Sequence, residues 1–259
     1  TMTIARAPQT ITFNVLASRT YGNEMPYLLF ATPSSGLTAT YSSSNPAVAT
    51  VTGDQVKIAS AGTTTITAYQ GGDNNHLPAV PVQRPFTVEK AAAWVSLTGI
   101  EGPSTYNGKP RVAGTVTSPA GLTVSVTYNG VGTPPVNAGI YAVMATVQDA
   151  NYEGSSAATM TIEKVPQNIT FPALAFTTEG DRPFPLPATS SSGLPATYEI
   201  SDPTVAVING STVVIKGAGA ATITAYQTGD DNYLPAEPVQ QVLIVRGQQP
   251  RIVVLPVEN

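Results

Sequence analysis

Hydrophobic and polar positions along this chain change over in short runs and never settle into a longer rhythm. TTTITAY (63–69) gathers β-branched and aromatic residues, as strands prefer. In TVAVING (204–210) the period-two rule predicts Val205 and Val207 on one face and Thr204 and Ala206 on the other. Turn signals follow one another at about the 8–12-residue spacing of sandwich proteins. They include Ser-Gly at 35–36 and 192–193, Asn-Pro at 45–46 and Asn-Gly at 209–210. Asn-Gly between VAVI and STVVI predicts a hairpin, because both residues tolerate positive φ. No window carries an apolar 3.6-residue period ended by caps. The pattern predicts an all-β chain of many short strands packed as sandwiches.

The same letters return. AGTTTITAYQGGDNNHLPA (61–79) matches AGAATITAYQTGDDNYLPA (218–236) at 14 of 19 positions. SSGLTATY (34–41) pairs with SSGLPATY (191–198), and SNPAVATV (44–51) with SDPTVAVI (201–208), at the same offset of 157. PQTITF (8–13) and PQNITF (166–171) pair at 158, so one residue is lost between Phe13 and Ser34. Residues 5–89 and 165–246 are therefore two copies of one module. Between them, residues 90–164 share the style but not the letters: TYNGKP, PAGLTVSVTYNG, NAGIYAVMATVQDANYEG, then AATMTI. TMTI at 1–4 repeats TMTI at 159–162, so residues 1–4 are expected to be the tail strand of a preceding module. Residues 247–259 are expected to be a C-terminal segment or the start of a next one.

These motifs carry a family likeness. P-Q-x-I-T-F, S-S-G-L-x-A-T-Y, S-[ND]-P-x-V-A and A-G-x-x-T-I-T-A-Y-Q resemble bacterial immunoglobulin-like (Big-type) repeats. The middle segment, with T-Y-N-G-K-P, P-A-G-L-T-V and N-A-G-x-Y-x-V, resembles the MBG domains that alternate with such repeats. The resemblance implies three tandem immunoglobulin-like β-sandwich domains in an elongated array, at 5–89, 90–164 and 165–246. It implies an adhesin-like bacterial surface protein, extracellular, whose modules hold something else away from the cell. It supplies no catalytic residue. The turn Tyr21-Gly22-Asn23 of the first copy becomes Glu179-Gly180-Asp181 in the second, so a function needing that tyrosine would be missing there.

Composition narrows the function classes. Only 11% of the 259 residues are charged, against roughly 25% in an ordinary soluble domain. Such a surface suits an extracellular β protein better than a cytosolic enzyme. A net charge of −4 with 12 scattered basic residues argues against nucleic acid, which needs clustered Lys and Arg. There is no cysteine, hence no disulfide and no Cys-ligated metal. No run reaches the length of a membrane span. Joints as short as Glu89-Lys90 and Glu163-Lys164 leave little slack, so neighbouring modules are expected to touch, making a semi-rigid rod.

Candidate chemistry is sparse. His76 is the lone histidine; its counterparts are Tyr233 in the second copy and Tyr152 in the middle segment, which favours a structural role over a general base. Asp73, Asp149, Asp230 and Asp231 sit in Asp/Asn turns that recur once per module and are weak calcium candidates. The same residues are ordinary turn formers. Trp94, the single tryptophan, lies in AAAWVSL; it is expected in the core or at a joint, with a ligand platform as the weaker alternative. Tyr41/Tyr198 and Tyr69/Tyr226 recur at equivalent positions and are expected to share core roles. No catalytic residue and no cofactor is expected. The leading reading is a non-catalytic spacer of a bacterial surface or secreted protein. The alternatives are a module binding a host or cell-surface protein or a glycan, and an accessory region of a secreted enzyme.

Overall fold

The computed structural model describes residues 4–23 and 25–249. Of the expected tail at 1–4, residues 1–3 lie outside the described residues, as do 250–259 of the expected C-terminal segment. Among the described residues there is no helix; the regular structure is all strand. The chain divides into two compact units. One holds residues up to Glu101, with Val112–Pro134 and Ala142–Thr159; the other holds Gly102–Arg111, Pro135–Tyr141 and the residues from Met160 onward. The division falls inside the middle segment.

The first copy of the repeat belongs to the first unit. Its larger sheet runs in the order Arg19–Thr20, Val82–Glu89, Gly62–Tyr69, Thr40–Ser43. Its smaller sheet runs Tyr27–Leu28, Gln55–Ile58, Ala49–Thr52, and Ile11–Phe13 pairs with Ala31–Pro33. Arg19–Thr20 lies parallel to Val88–Glu89, whereas the other pairings are antiparallel. This is the immunoglobulin-like arrangement, two sheets facing each other across one core. Alternation fills that core. On Val82–Glu89, Phe86 and Val88 point inward between outward neighbours, and they meet Ile11, Phe13, Leu29, Val56 and Ile66. Burying a residue such as Phe86 stabilises by about 1.5–3 kcal/mol.

The second copy, in the second unit, repeats this strand for strand: Thr177–Thr178, Val239–Arg246, Gly219–Tyr226, Thr197–Ile200 in the larger sheet, and Phe184–Pro185, Thr212–Ile215, Ala206–Asn209 in the smaller. Its core contains Ile169, Phe171, Leu186, Val213, Ile223, Leu243 and Val245.

Within the first unit the middle segment contributes the antiparallel pair Trp94–Thr98 with Gly114–Ser118, and pairs Val124–Tyr128 with residues 143–147. Val95, Ala145 and Val147 are buried there against Leu97, Leu122, Val124 and Val126. Within the second unit it pairs Ser104–Thr105 in parallel with Ile162 and Glu163. Each of the three sequence segments thus lays a short early strand parallel to its own last strand.

Two turn expectations need correction. The hairpin at 209–210 exists, but Asn209 is paired with Thr212 and the loop is Gly210-Ser211, with only Gly210 at positive φ. The first copy does the same with Gly53-Asp54, between paired Thr52 and Gln55, so glycine and not asparagine is the shared requirement. The true Asn-Gly turn is Asn129-Gly130, with φ of 49° and 83°, closed by reciprocal bonds between Tyr128 and Val131. The expected phase in TVAVING also fails: Val205 and Ala206 are both buried. The Asp202 carbonyl accepts from the amides of Val205 and Ala206, so Val205 still belongs to a turn and period two begins only after it.

Candidate functional site, a joint built from a repeated turn

The Asp/Asn turns occupy equivalent places and share one construction. In each, Asp Oδ1 accepts the backbone amides two and three residues on. The sets are Asp73 with Asn75 and His76, Asp149 with Asn151 and Tyr152, and Asp230 with Asn232 and Tyr233. This is an Asx-type turn, in which the side chain replaces a backbone acceptor. The carboxylates thereby hold the loop. Among the described residues no group of three His, Asp or Glu could hold a metal. The bond from the Asn75 amide holds the Asp73 carboxyl below its ordinary range; burial opposes it, and bonds from His76 add to the lowering.

Each turn then receives the incoming chain. Its Asn carbonyl accepts the amide of Ala7, Ala91 or Val165, and a short parallel pairing follows, one residue long at Ala7 and Val165 and two at Ala91. The lysine just before the last two of these, Lys90 or Lys164, donates through Nζ to the carbonyl of Asp149 or Asp230, 2.6 Å in both cases. Each lysine thereby ties the incoming chain to the Asp turn.

The turn also grips what precedes it. In the first unit the Ala61 amide of the first copy donates to Asn151 Oδ1 at 2.8 Å, and the Tyr21 ring meets the Tyr152 ring edge-on at 5.5 Å. In the second unit the Ala138 amide donates to Asn232 Oδ1 at 2.8 Å, and Tyr106 meets Tyr233 edge-on at 5.7 Å. Asn232 Nδ2 adds a bond to Asn137 Oδ1 at 3.3 Å. Ala61 and Ala138 both stand in an x-Ala-Gly turn. Tyr21 and Tyr106 both follow the short strand laid parallel to the last strand, and their amides bond to the carbonyls of Glu89 and Glu163. Consecutive segments do touch, as expected, and twice by the same contact set.

Other sequence-predicted residues lie elsewhere. Trp94 is not in the core: it is 62% exposed, because Val95 (4%) is the inward residue and strand neighbours face opposite ways. Its outward companions across the strand pair are Val116 and Ser118. His76 is partly exposed, with Nδ1 3.0 Å from Asp73 Oδ1. Asp231 is exposed. Tyr41 and Tyr198 do pack on the cores, against Phe13 and Phe171. Burial raises the Tyr198 hydroxyl's pKa, partly offset by a bond from the Ala188 amide. Tyr69, in contrast, faces solvent, and Tyr226 bonds Glu199 at 3.1 Å, which raises its pKa.

Sequence reasoning missed one polar pair. Gln9 is buried and donates to Gln70 Oε1 and the Leu77 carbonyl, while accepting from Ser35. Gln167 does the same with Gln227, Leu234 and Ser192. The signal was present in P-Q-x-I-T-F and T-A-Y-Q, as a polar residue kept in both copies. Fully satisfied buried amides tie the Asp/Asn turn to the sheet.

The fold and joint define a class, a chain of β-sandwich segments of immunoglobulin-like topology coupled by repeated turns. Residues 93–166 match the MBG domain family, a stretch covering less than half of the chain. Among curated protein sequences there is no match. Solved structures with distant likeness include Drosophila N-cadherin EC1-4, at 12% identity, covering 93% of this chain and 76% of that one, TM-score 0.32. Sidekick-1 immunoglobulin domains 1-5 are 12% identical over 92% of this chain and 59% of that one, TM-score 0.43. The surface layer protein SbsC, domains 1-6, is 16% identical over 93% of this chain and 40% of that one, TM-score 0.31. The chain spans less than two thirds of the last two. No helix among the described residues is long and apolar enough to cross a membrane.

Proposed function

We propose that this chain is a non-catalytic structural or spacer segment of a bacterial cell-surface or secreted protein of adhesin-like kind, built of modules at 5–89, 90–164 and 165–246. One observation carries the reading: segments of different sequence are joined twice by the same set of contacts, Ala61–Asn151 with Tyr21–Tyr152, and Ala138–Asn232 with Tyr106–Tyr233. A spacer must transmit orientation, and a repeated hydrogen bond beside a ring pair limits rotation at each joint. The low charge and the absence of cysteine fit a secreted polymer that relies on packing alone.

The test is to loosen the joints. Asn151→Ala and Asn232→Ala remove one side-chain acceptor each and leave the sandwich cores intact. Small-angle scattering of the double variant should give a broader distribution of intramolecular distances than the parent, with unchanged circular dichroism. An unchanged distribution would remove the basis of the reading.

A second reading, a segment that binds a glycan or a protein, is favoured by the exposed Trp94 alone. Trp94 is the only tryptophan, so its fluorescence reports directly on a titrated glycan or protein. A saturable shift abolished by Trp94→Ala would support this reading over the spacer.

A further inference from the structure

The second copy contains a hollow of about 500 Å³ beside its short parallel strand. The first copy shows how it arises. Thr177 pairs with Val245 as Arg19 pairs with Val88, and Phe184 pairs with Val213 as Tyr27 pairs with Val56. Five positions on the wall of the hollow carry the smaller residue in the second copy: Ala173 for Val15, Thr177 for Arg19, Phe184 for Tyr27, Pro185 for Leu28 and Pro187 for Phe30. Leu174 and Ala175 repeat Leu16 and Ala17.

The first copy also shows what fits there. The Arg19 guanidinium lies over the Tyr27 ring, 4.8 Å from its centre, and the Ala17 amide donates to the Tyr27 hydroxyl oxygen at 3.0 Å. Arg19 Nε is buried and has no hydrogen-bond partner among the described residues, so the ring face is what receives the guanidinium. The second copy keeps the ring, as Phe184, and has neither the guanidinium nor the hydroxyl. Among the described residues the Ala175 amide has no hydrogen-bond partner. The rim carries Asp181 where the first copy has Asn23. Asp181 Oδ2 accepts the Thr178 amide at 2.7 Å, which fixes the carboxylate in place.

We infer that the hollow is a docking site for an arginine side chain of a partner protein, presented on an extended segment. The guanidinium takes the place over Phe184 that Arg19 takes over Tyr27, where a planar cation is attracted to the ring face. Its nitrogens donate to the Asp181 carboxylate, a charge-assisted bond. A carbonyl of the same segment accepts the Ala175 amide, as the Tyr27 hydroxyl accepts that of Ala17. The aliphatic stem lies against Ala173 and Leu174. Of the two charged groups lining the hollow, Arg182 is the one that opposes a cation. The first copy shows that a following segment leaves this place open. The middle segment follows it, yet Val15 is 81% and Phe30 73% exposed, and Ala17 is exposed as well. The hollow lies wholly within the second copy, so docking there goes beyond the spacer role and needs none of the joint contacts.

An NMR titration of the isotope-labelled full chain with N-acetyl-arginine N-methylamide tests this. The amide signals of Ala175, Thr177 and Asp181 should shift and saturate with a Kd on the order of 1 mM, while those of Ala17, Arg19 and Asn23 stay in place. The citrulline analogue, equal in shape and uncharged, should bind about tenfold more weakly. Thr177→Arg, which copies the first copy, should abolish binding by filling the hollow from within. Asp181→Asn, at an exposed position, should weaken it, and Arg182→Ala, which removes the opposing charge, should strengthen it. The absence of a saturable shift at these amides, equal binding of citrulline, or binding that survives Thr177→Arg and Asp181→Asn unchanged overturns the inference. Weakening by Arg182→Ala would mean that the hollow takes an anion, and overturns it too. The spacer reading stands or falls separately, on the scattering of Asn151→Ala and Asn232→Ala.

Discussion

The two copies of the repeat solve one packing problem with different residues, and the differences separate what the fold demands from what each copy is free to choose. Their cores correspond position by position: Ile11 with Ile169, Phe13 with Phe171, Leu29 with Leu186, Val56 with Val213, Ile66 with Ile223 and Val88 with Val245. Two exchanges stand out. Phe86, whose ring lies 5.0 Å from that of Tyr27, becomes Leu243 beside Phe184. Thr64, buried, becomes Ala221. Thr64 Oγ1 accepts the Asn45 amide at 2.9 Å and bonds the hydroxyls of Ser43 and Ser44. The second copy drops that network. Ile200 replaces Ser43 and packs on the core, while Asp202 holds its own turn through Thr204. A polar and an apolar solution are equally allowed if each is complete, because the cost lies in a half-satisfied group.

The comparison breaks most severely at the glycine both copies keep. A Cβ on Gly72 would lie 2.4 Å from the His76 carbonyl oxygen, and one on Gly229 2.3 Å from that of Tyr233, both at φ of +76°. Gly72→Ala and Gly229→Ala should each cost at least about 2–3 kcal/mol, by strain at positive φ together with the backbone clash. Hydrogen exchange should show the loss confined to the copy that carries the change. Exchanging the core residues comes next. Phe86→Leu leaves a void and Leu243→Phe overfills its site, each costing about 1–3 kcal/mol in chemical denaturation although each imports the other copy's residue. If either were neutral, the cores would be looser than their matching positions imply.

Thr64→Ala should cost about 1–3 kcal/mol, because it removes the nearer acceptor of the Asn45 amide, at 2.9 Å, and leaves only Ser43 Oγ at 3.3 Å. Adding Ser43→Ile should recover part of that loss by copying the apolar solution; no recovery would mean the two networks are not interchangeable. At the joints, Tyr152→Ala or Tyr233→Ala should remove about 0.5–1.5 kcal/mol of ring–ring stabilisation beyond lost area. Tyr233→His should be milder than Tyr233→Ala, since histidine already serves in that turn in the first copy. The smallest effect is that of pH. The Asp73 carboxyl is held low by the Asn75 amide and His76, and that of Asp202 by the Thr204 hydroxyl and amide. Both are lower folded than unfolded, so their contribution is complete above the ordinary carboxylate range and fades as pH falls through the folded values. Thermal melts should lose stability below about pH 4, and Asp73→Asn with Asp202→Asn should flatten that loss.

How much of this was legible depended on whether a signal was local. The period-two runs, the Gly-containing turns and the duplicated motifs stated the strands and the repeat outright. The cores were legible only in part: Tyr41 and Tyr198 pack on them as expected, whereas Tyr69 and Trp94 face solvent. Asp73, Asp149 and Asp230 were recognisable as a recurring set, and their turn role was one of the two readings open to them. The buried Gln9 and Gln167 were not recognised, because nothing local distinguishes a satisfied buried amide from an exposed one. Trp94 was expected in the core or at a joint on its apolar neighbours, yet which of Trp94 and Val95 turns inward depends on the strand's rotation against a sheet far away in sequence.

The amino-acid order by itself determined an all-β chain and two copies of one sandwich, with glycine-containing turns between the strands. These follow from steric limits on φ, from side-chain alternation and from the cost of leaving apolar surface in water. Only the tertiary structure decided what the Asp/Asn turns are for. Asn151 receives an amide 90 positions earlier in the chain and Asn232 one 94 positions earlier. A hydrogen bond of that kind requires two surfaces far apart in sequence to be brought within 3 Å, and no short stretch of sequence encodes that distance.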